Sequence, residues 1–142
     1  MANRITRGEA LIGNLTLGSV QLDKAPLKAT FTVGAEAGNA ITVAVQLADM
    51  NGNALANRGA VLLYLSDDAN GDSIAGTAPD GGVAAGTDGL LIPLVAGKCF
   101  LATSESDGDI DVVVTESGVD TWYLVAVLPH GELAVSGAIT FA

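Results

Sequence analysis

Residues 41–55 read Ile-Thr-Val-Ala-Val-Gln-Leu-Ala-Asp-Met-Asn-Gly-Asn-Ala-Leu (ITVAVQLADMNGNAL). Ile41, Val43, Val45 and Leu47 occupy alternate positions, with Thr42, Ala44 and Gln46 between them. Side chains of a strand point alternately to opposite faces, so this spacing builds one apolar face and one more polar face. The run stops at Asp49-Met50-Asn51-Gly52-Asn53, where Asn-Gly readily takes positive φ in a tight turn. A half-buried strand closed by a tight turn belongs to an antiparallel sheet.

The rest of the chain repeats this grammar. Nowhere do apolar residues recur at helical spacing for three turns behind a cap. β-rich runs alternate with Gly, Asn and Asp at the short intervals of a sandwich or barrel. Strands are predicted at Leu15–Leu22, Leu27–Val33, Ile41–Leu47, Ala60–Ser66, Leu90–Leu94, Lys98–Thr103, Ile110–Thr115, Trp122–Leu128 and Leu133–Phe141. Leu128-Pro129-His130-Gly131-Glu132 has Pro and Gly where a type I turn with a following positive-φ residue needs them, so the last two strands are read as a hairpin. The segment 71–89 is rich in Gly, Ala, Asp and Thr; it is either a functional loop or the hiding place of a short edge strand around Gly82–Ala85. Residues 1–14 have no strand pattern and read as an extended arm, leaving 15–142 as one domain.

The 142 residues carry 16 acidic and 6 basic side chains, a formal charge of -10. Residues 1–28 hold Arg4, Arg7, Lys24 and Lys28 against Glu9 and Asp23, a sum of +2, which leaves -12 on the remainder. An acidic body repels phosphate backbones and argues against nucleic acid as a partner. A short basic arm on such a body is read as docking onto an acidic surface, with Arg4 and Arg7 as its contacts.

Apolar residues amount to 49% without glycine, and charged residues to only 15%. No window approaches the ~20 continuous apolar residues of a membrane span, and no Sec-type signal pattern is visible. The excess apolar surface therefore points to self-association rather than to a bilayer. In Trp122-Tyr123-Leu124-Val125-Ala126-Val127-Leu128 both alternating faces are apolar, although one face of a two-layer sandwich normally meets water. A subunit interface or the arm folding back would cover the second face; Trp122, Tyr123 and Phe141 are the residues expected in the core or at that interface.

The pattern of Ile41–Leu55 resembles bacterial immunoglobulin-like domains of the invasin and intimin type, in which an alternating strand ends in a D-x-N-G-N turn. The second strand then corresponds to Val61–Ser66, and Trp122–Leu128 with Leu133–Phe141 resembles the final hairpin. The similarity runs from about Asn39 to Phe141. One departure is that the family's Pro and Gly after the turn are replaced by the longer Ala54-Leu55-Ala56-Asn57-Arg58-Gly59. The resemblance implies an immunoglobulin-like β-sandwich of about 7–9 strands, with a jelly-roll sandwich as the alternative.

A domain of this type with a basic arm and an Ala/Gly-rich acidic body looks like a tailed-bacteriophage virion protein. The implied function is that of a head decoration (cement) protein, made in the bacterial cytoplasm and placed on the capsid surface with the major capsid protein as partner. An Ig-like adhesion or glycan-binding module of a phage tail, and a tail-tube or connector protein, are the alternatives.

Site chemistry is sparse. Asp68, Asn70 and Asp72 alternate as in a calcium loop, but Ser73 and Pro79 stand where an EF-hand needs Gly and an acidic residue. A looser calcium site could join them to Asp107 and Asp109; otherwise Asp68 to Asp72 form an Asx-type turn and Asp107, Asp109 and Asp111 face solvent. His130 is the only histidine, in a turn, and Cys99 the only cysteine, in an apolar run, so no intrachain disulfide forms. Asn14-Leu15-Thr16 matches a glycosylation sequon without a secretory context. Neither a catalytic set nor a phosphate loop can be assembled, and the chain reads as non-enzymatic.

Overall fold

A computed structural model describes residues 22–142. After a 3-10 turn at Leu22–Lys24 come β1 (Lys28–Val33), β2 (Ala40–Ala48), β3 (Ala60–Ser66), β4 (Gly82–Ala85), β5 (Leu90–Val95), β6 (Cys99–Thr103), β7 (Asp109–Thr115), β8 (Thr121–Val127), β9 (Leu133–Val135) and β10 (Ile139–Thr140). No helix among the described residues is long and apolar enough to cross a membrane.

All pairings are antiparallel and build two sheets, β1-β2-β7-β4 and β10-β8-β3-β6-β5, with β9 also on β8. Strands A, B, E and D of an immunoglobulin sandwich correspond to β1, β2, β7 and β4, and strands C, F and G to β3, β8 and the β9–β10 pair. The hairpin β5–β6 is an addition, laid against the outer edge of β3. The fold is the all-β sandwich expected, built of two antiparallel sheets.

One open alternative is decided, one expected strand is divided in two, and a third lies almost wholly outside the described residues. The edge strand suspected around Gly82–Ala85 exists and pairs with Val112–Thr115. The single strand expected over Leu133–Phe141 is two, because a bulge interrupts it. From Val125 to Trp122 is three residues, but from Val135 to Ile139 is four. Ser136 stabilises the interruption: its N–H donates to the Leu124 carbonyl at 2.9 Å and its Oγ accepts from the Leu124 N–H at 2.8 Å. Of the strand expected over Leu15–Leu22, only Leu22 is described, and it lies in the 3-10 turn.

The core lies where alternation placed it. Ile41, Val43, Val45 and Leu47 face Ile110, Val112 and Val114 of the same sheet and Val61, Leu63, Leu65, Trp122, Leu124 and Ala126 of the other, all buried. The turn after β2 is held by one carboxylate. Asp49 Oδ1 accepts the N–H groups of Asn51 at 2.8 Å and Asn53 at 3.0 Å, and Gly52 takes φ +86. These bonds, led by that from Asn53, hold the Asp49 carboxyl below the usual range despite its burial. The long connection that departs from the family pattern then doubles back. Leu55 N–H donates to the Leu47 carbonyl at 3.0 Å, and its side chain, 1% exposed, closes that end of the core. Pro26 lies against Gly59, and Asn57 Nδ2 donates to the Lys24 carbonyl at 3.2 Å, so the start of the described chain is fastened to the same end.

Candidate functional site

The two sheets differ in what they turn outward. On β1, β2 and β7 the outward positions are Thr30, Thr32, Thr42, Ala44, Gln46, Asp109, Asp111, Val113 and Thr115, a mostly polar, solvated surface. The other sheet is apolar on both sides. Its register sets Leu133, Val127, Leu62, Leu101 and Ile92 directly across five strands in one row. The neighbouring rows are Val135, Val125, Tyr64, Cys99 and Val95 on one side and Ala60, Thr103 and Leu90 on the other. None of these outward positions is charged, in a chain of net charge -10. Leu90, Ile92, Val95, Leu101 and Leu133 are each between 40% and 53% exposed. Large contiguous apolar patches on soluble proteins mark interaction surfaces.

Part of this face is covered by the loop that carries the calcium-like aspartates. Gly71, at φ +74, is buried against it; a Cβ there would stand 3.0 Å from one Val125 methyl and 3.3 Å from Val135. Tyr64 Oη donates to the Gly71 carbonyl at 2.5 Å, and Ala75 N–H donates to the Leu65 carbonyl at 2.7 Å. Val125 is thereby fully buried although it points away from the core. The second apolar face of β8 therefore has a cover that was not anticipated, the chain's own loop, over one corner. Among the described residues nothing covers the Leu62 row in the same way.

Trp122 and Phe141 belong to the core. Trp122 is 1% exposed, and its ring meets that of Phe141 edge-to-face at 6.2 Å and 71°. Of the three aromatic residues singled out, only Tyr123 is on the outer face, half-buried beside Ser66. Arg4 and Arg7 lie outside the described residues.

The aspartates do not converge. Asp107 follows β6, whose end pairs with the start of β3 at Ala60, whereas Asp67 to Asp72 follow the far end of β3. The seven residues of β3 set the two ends ~20 Å apart. Asp68 Oδ1 accepts the Asn70 N–H at 2.9 Å, and Gly71 N–H donates to the Asp68 carbonyl at 2.9 Å, which is the Asx-turn alternative. Among the described residues no three His, Cys, Asp or Glu side chains stand together as a metal site. The calcium site shared between Asp68, Asn70, Asp72, Asp107 and Asp109 is corrected on this geometry.

Asp109 and Asp111 share the solvated face of β7, next to Asp88. Thr87 Oγ1 donates to Asp111 Oδ2 at 2.6 Å. Partial burial, then the charges of Asp111, Asp88 and Asp107, raise the Asp109 carboxyl above its ordinary value. A carboxyl raised in the folded state binds protons more readily there, so it lowers stability above its folded pKa and ceases to do so below its unfolded value near 3.8. Asp109→Asn should therefore raise Tm at pH 7 by about 1–2 °C. Melts of both proteins should converge by pH 3; a gap that persists there would show that charge is not its cause.

His130 is the exposed turn residue expected, its Nε2 3.2 Å from Glu132 Oε2. Both line an open groove of about 430 Å³ with Leu27, Lys28 and Met50. Cys99 stands half-buried on the apolar face, and burial pushes its thiol pKa up. It is a weak nucleophile but a usable reporter of that face.

No family model, curated protein or solved structure matches the chain.

Proposed function

We propose that the chain is a non-enzymatic structural subunit of a tailed-phage virion, a head decoration protein that holds an assembled shell together. The observation that carries this reading is the contrast between the two outer faces: a solvated one rich in threonine and carboxylates, and an uncharged apolar one spanning five strands. A sandwich that turns such a face outward is suited to stand beside other subunits. The basic N-terminal residues Arg4 and Arg7 supply charge-assisted contacts to the shell. A subunit that binds only the assembled lattice stabilises it by mass action, multiplied over many sites.

The test is co-sedimentation with assembled heads of the phage that encodes the chain and, separately, with unassembled major capsid protein. Binding to heads alone is expected. Removing residues 1–14, or substituting Arg4→Ala with Arg7→Ala, should weaken it about tenfold or more while the melting curve stays put. Glycan binding that survives this deletion, without head binding, would move the chain to the tail-adhesin reading.

A further inference from the structure

We propose that the part of the apolar face that no described residue covers is the contact for a second copy of this chain, packed sheet against sheet about a twofold axis. The inference deepens the reading above, in which sister subunits meet. It is tested on the isolated chain, so its failure leaves head binding untouched.

Chemistry selects the partner. The row formed by Leu133, Val127, Leu62, Leu101 and Ile92 carries no donor, acceptor or charge on its side chains. A partner must therefore be broad, apolar and uncharged, because a charge buried there would have no counter-ion. Among the described residues the surface that meets this requirement is the face itself; the other sheet offers threonines and the carboxylates of Asp109 and Asp111. A patch that is its own complement gives an isologous, closed pair. The net charge of -10 does not oppose it locally, since no carboxylate stands at an outward position of these strands.

Edge-to-edge growth is hindered instead. Pro93 offers no N–H on the edge strand β5, and the register shifts between Pro93 and Val95, a bulge of the kind that blunts edges. On the opposite edge, the β9–β10 interruption at Ser136 does the same. For this sheet, face-to-face contact is the mode its edges leave open, with aligned sheets about 10 Å apart.

Size sets the affinity. Five strands about 4.8 Å apart, with outward positions about 6.8 Å apart along each, make a face of roughly 24 by 20 Å. The Gly71 loop occupies one corner, leaving on the order of 400 Å² per copy, below the ~1,200 Å² total of standard interfaces. A pair on this face alone is therefore weak, with a Kd on the order of 10–100 µM. Such a contact is nearly silent in dilute solution and becomes effective where neighbours are held at high local concentration.

Sedimentation equilibrium of the full chain between ~5 and 500 µM should show a reversible monomer–dimer equilibrium. Ile92→Asp or Leu101→Asp, both at exposed positions, should shift the midpoint more than tenfold to higher concentration, whereas Thr30→Asp on the other sheet should not. Far-UV circular dichroism and melting curves confirm that each variant is folded. The rate at which the Cys99 thiol reacts with a small maleimide should fall severalfold as concentration rises, and should not do so in Leu101→Asp. A chain that stays monomeric at 500 µM overturns the proposal. So does a dimer indifferent to Ile92→Asp and Leu101→Asp. A full chain that is monomeric but dimerises once residues 1–21 are removed overturns it in favour of the N-terminal segment as the cover.

Discussion

Trp122→Ala is expected to destabilise the fold by about 3–5 kcal/mol, the largest loss from any single side chain of the sandwich. Trp122 is the largest of the fully buried side chains and lies on β8, which pairs with β3 on one side and with β9 and β10 on the other. It stands opposite Ile139 in the ladder and edge-to-face with Phe141, so removing its ring leaves both without a partner. The cavity falls between two sheets already held by backbone bonds, which limits how far they can collapse into it. The indole also carries a cost. Its buried Nε1–H has no hydrogen-bond partner among the described residues, and such an orphan costs roughly 1–3 kcal/mol. Trp122→Phe should therefore cost much less than the lost volume alone implies, because it deletes that donor. Urea unfolding followed by far-UV circular dichroism measures both; the alanine variant should also melt roughly 8–15 °C lower. A loss below about 1 kcal/mol for alanine, or a phenylalanine variant as unstable as alanine, would contradict this placement of the ring.

Burial on one side is what made much of the fold legible. Ile41, Val43, Val45 and Leu47 alternate because a slip of one residue would carry all four into water, and the same holds for Ile110, Val112 and Val114. Asp49 to Asn53 was legible for another reason: the backbone there needs Gly52 at positive φ and a side-chain acceptor for its N–H groups. The strand Gly82–Ala85 gave little signal, since as an edge strand it contributes only Val83 to the core. The split between β9 and β10 was hidden because an apolar run looks the same with or without a bulge.

The candidate surface was half legible. That β8 is apolar on both faces could be read from Trp122 to Leu128. What covers the second face could not, because the covering residue is Gly71, which touches Val125 through backbone and lacks a side chain to announce it. Nor could the row from Leu133 to Ile92 be read, since it depends on the register of five strands from three separate parts of the chain. The aspartates misled in the opposite direction. Asp68 and Asp107 resemble ligands because turn-forming and metal-binding carboxylates share the same short spacing; only the length of β3 between them decides the matter.

Gly108→Ala should be the most damaging change at any turn, costing about 2–4 kcal/mol, and it explains why acidic residues crowd around this position. Gly108 joins β6 to β7 at φ +85, in the left-handed region that costs a residue with a Cβ about 1–2 kcal/mol. A Cβ there would stand 2.7 Å from Gln46 Nε2, 2.8 Å from the Leu47 carbonyl oxygen and 3.1 Å from Leu55 Cβ. The Leu47 oxygen is backbone of a central strand and cannot move aside cheaply. The turn itself would have to lift, weakening the 2.8 Å bond from Leu47 N–H to the Gly108 carbonyl and the 2.9 Å bond from Gln46 Nε2 to the Asp107 carbonyl. Leu55, which closes the core at this end, would lose contact as well. Asp107 and Asp109 flank the glycine as short polar residues of a tight connection, with Asp107 Oδ1 turned toward the Asp109 N–H. Gly131→Ala isolates the conformational part: it shares the positive φ, at +94, but an added Cβ meets no atom of the described residues within 4 Å. That variant should lose only the conformational share, about 1 kcal/mol. Denaturant midpoints for the two variants should differ by at least as much again. Equal losses would mean that the close approach of Gly108 to Leu47 does not hold this end of the sandwich together.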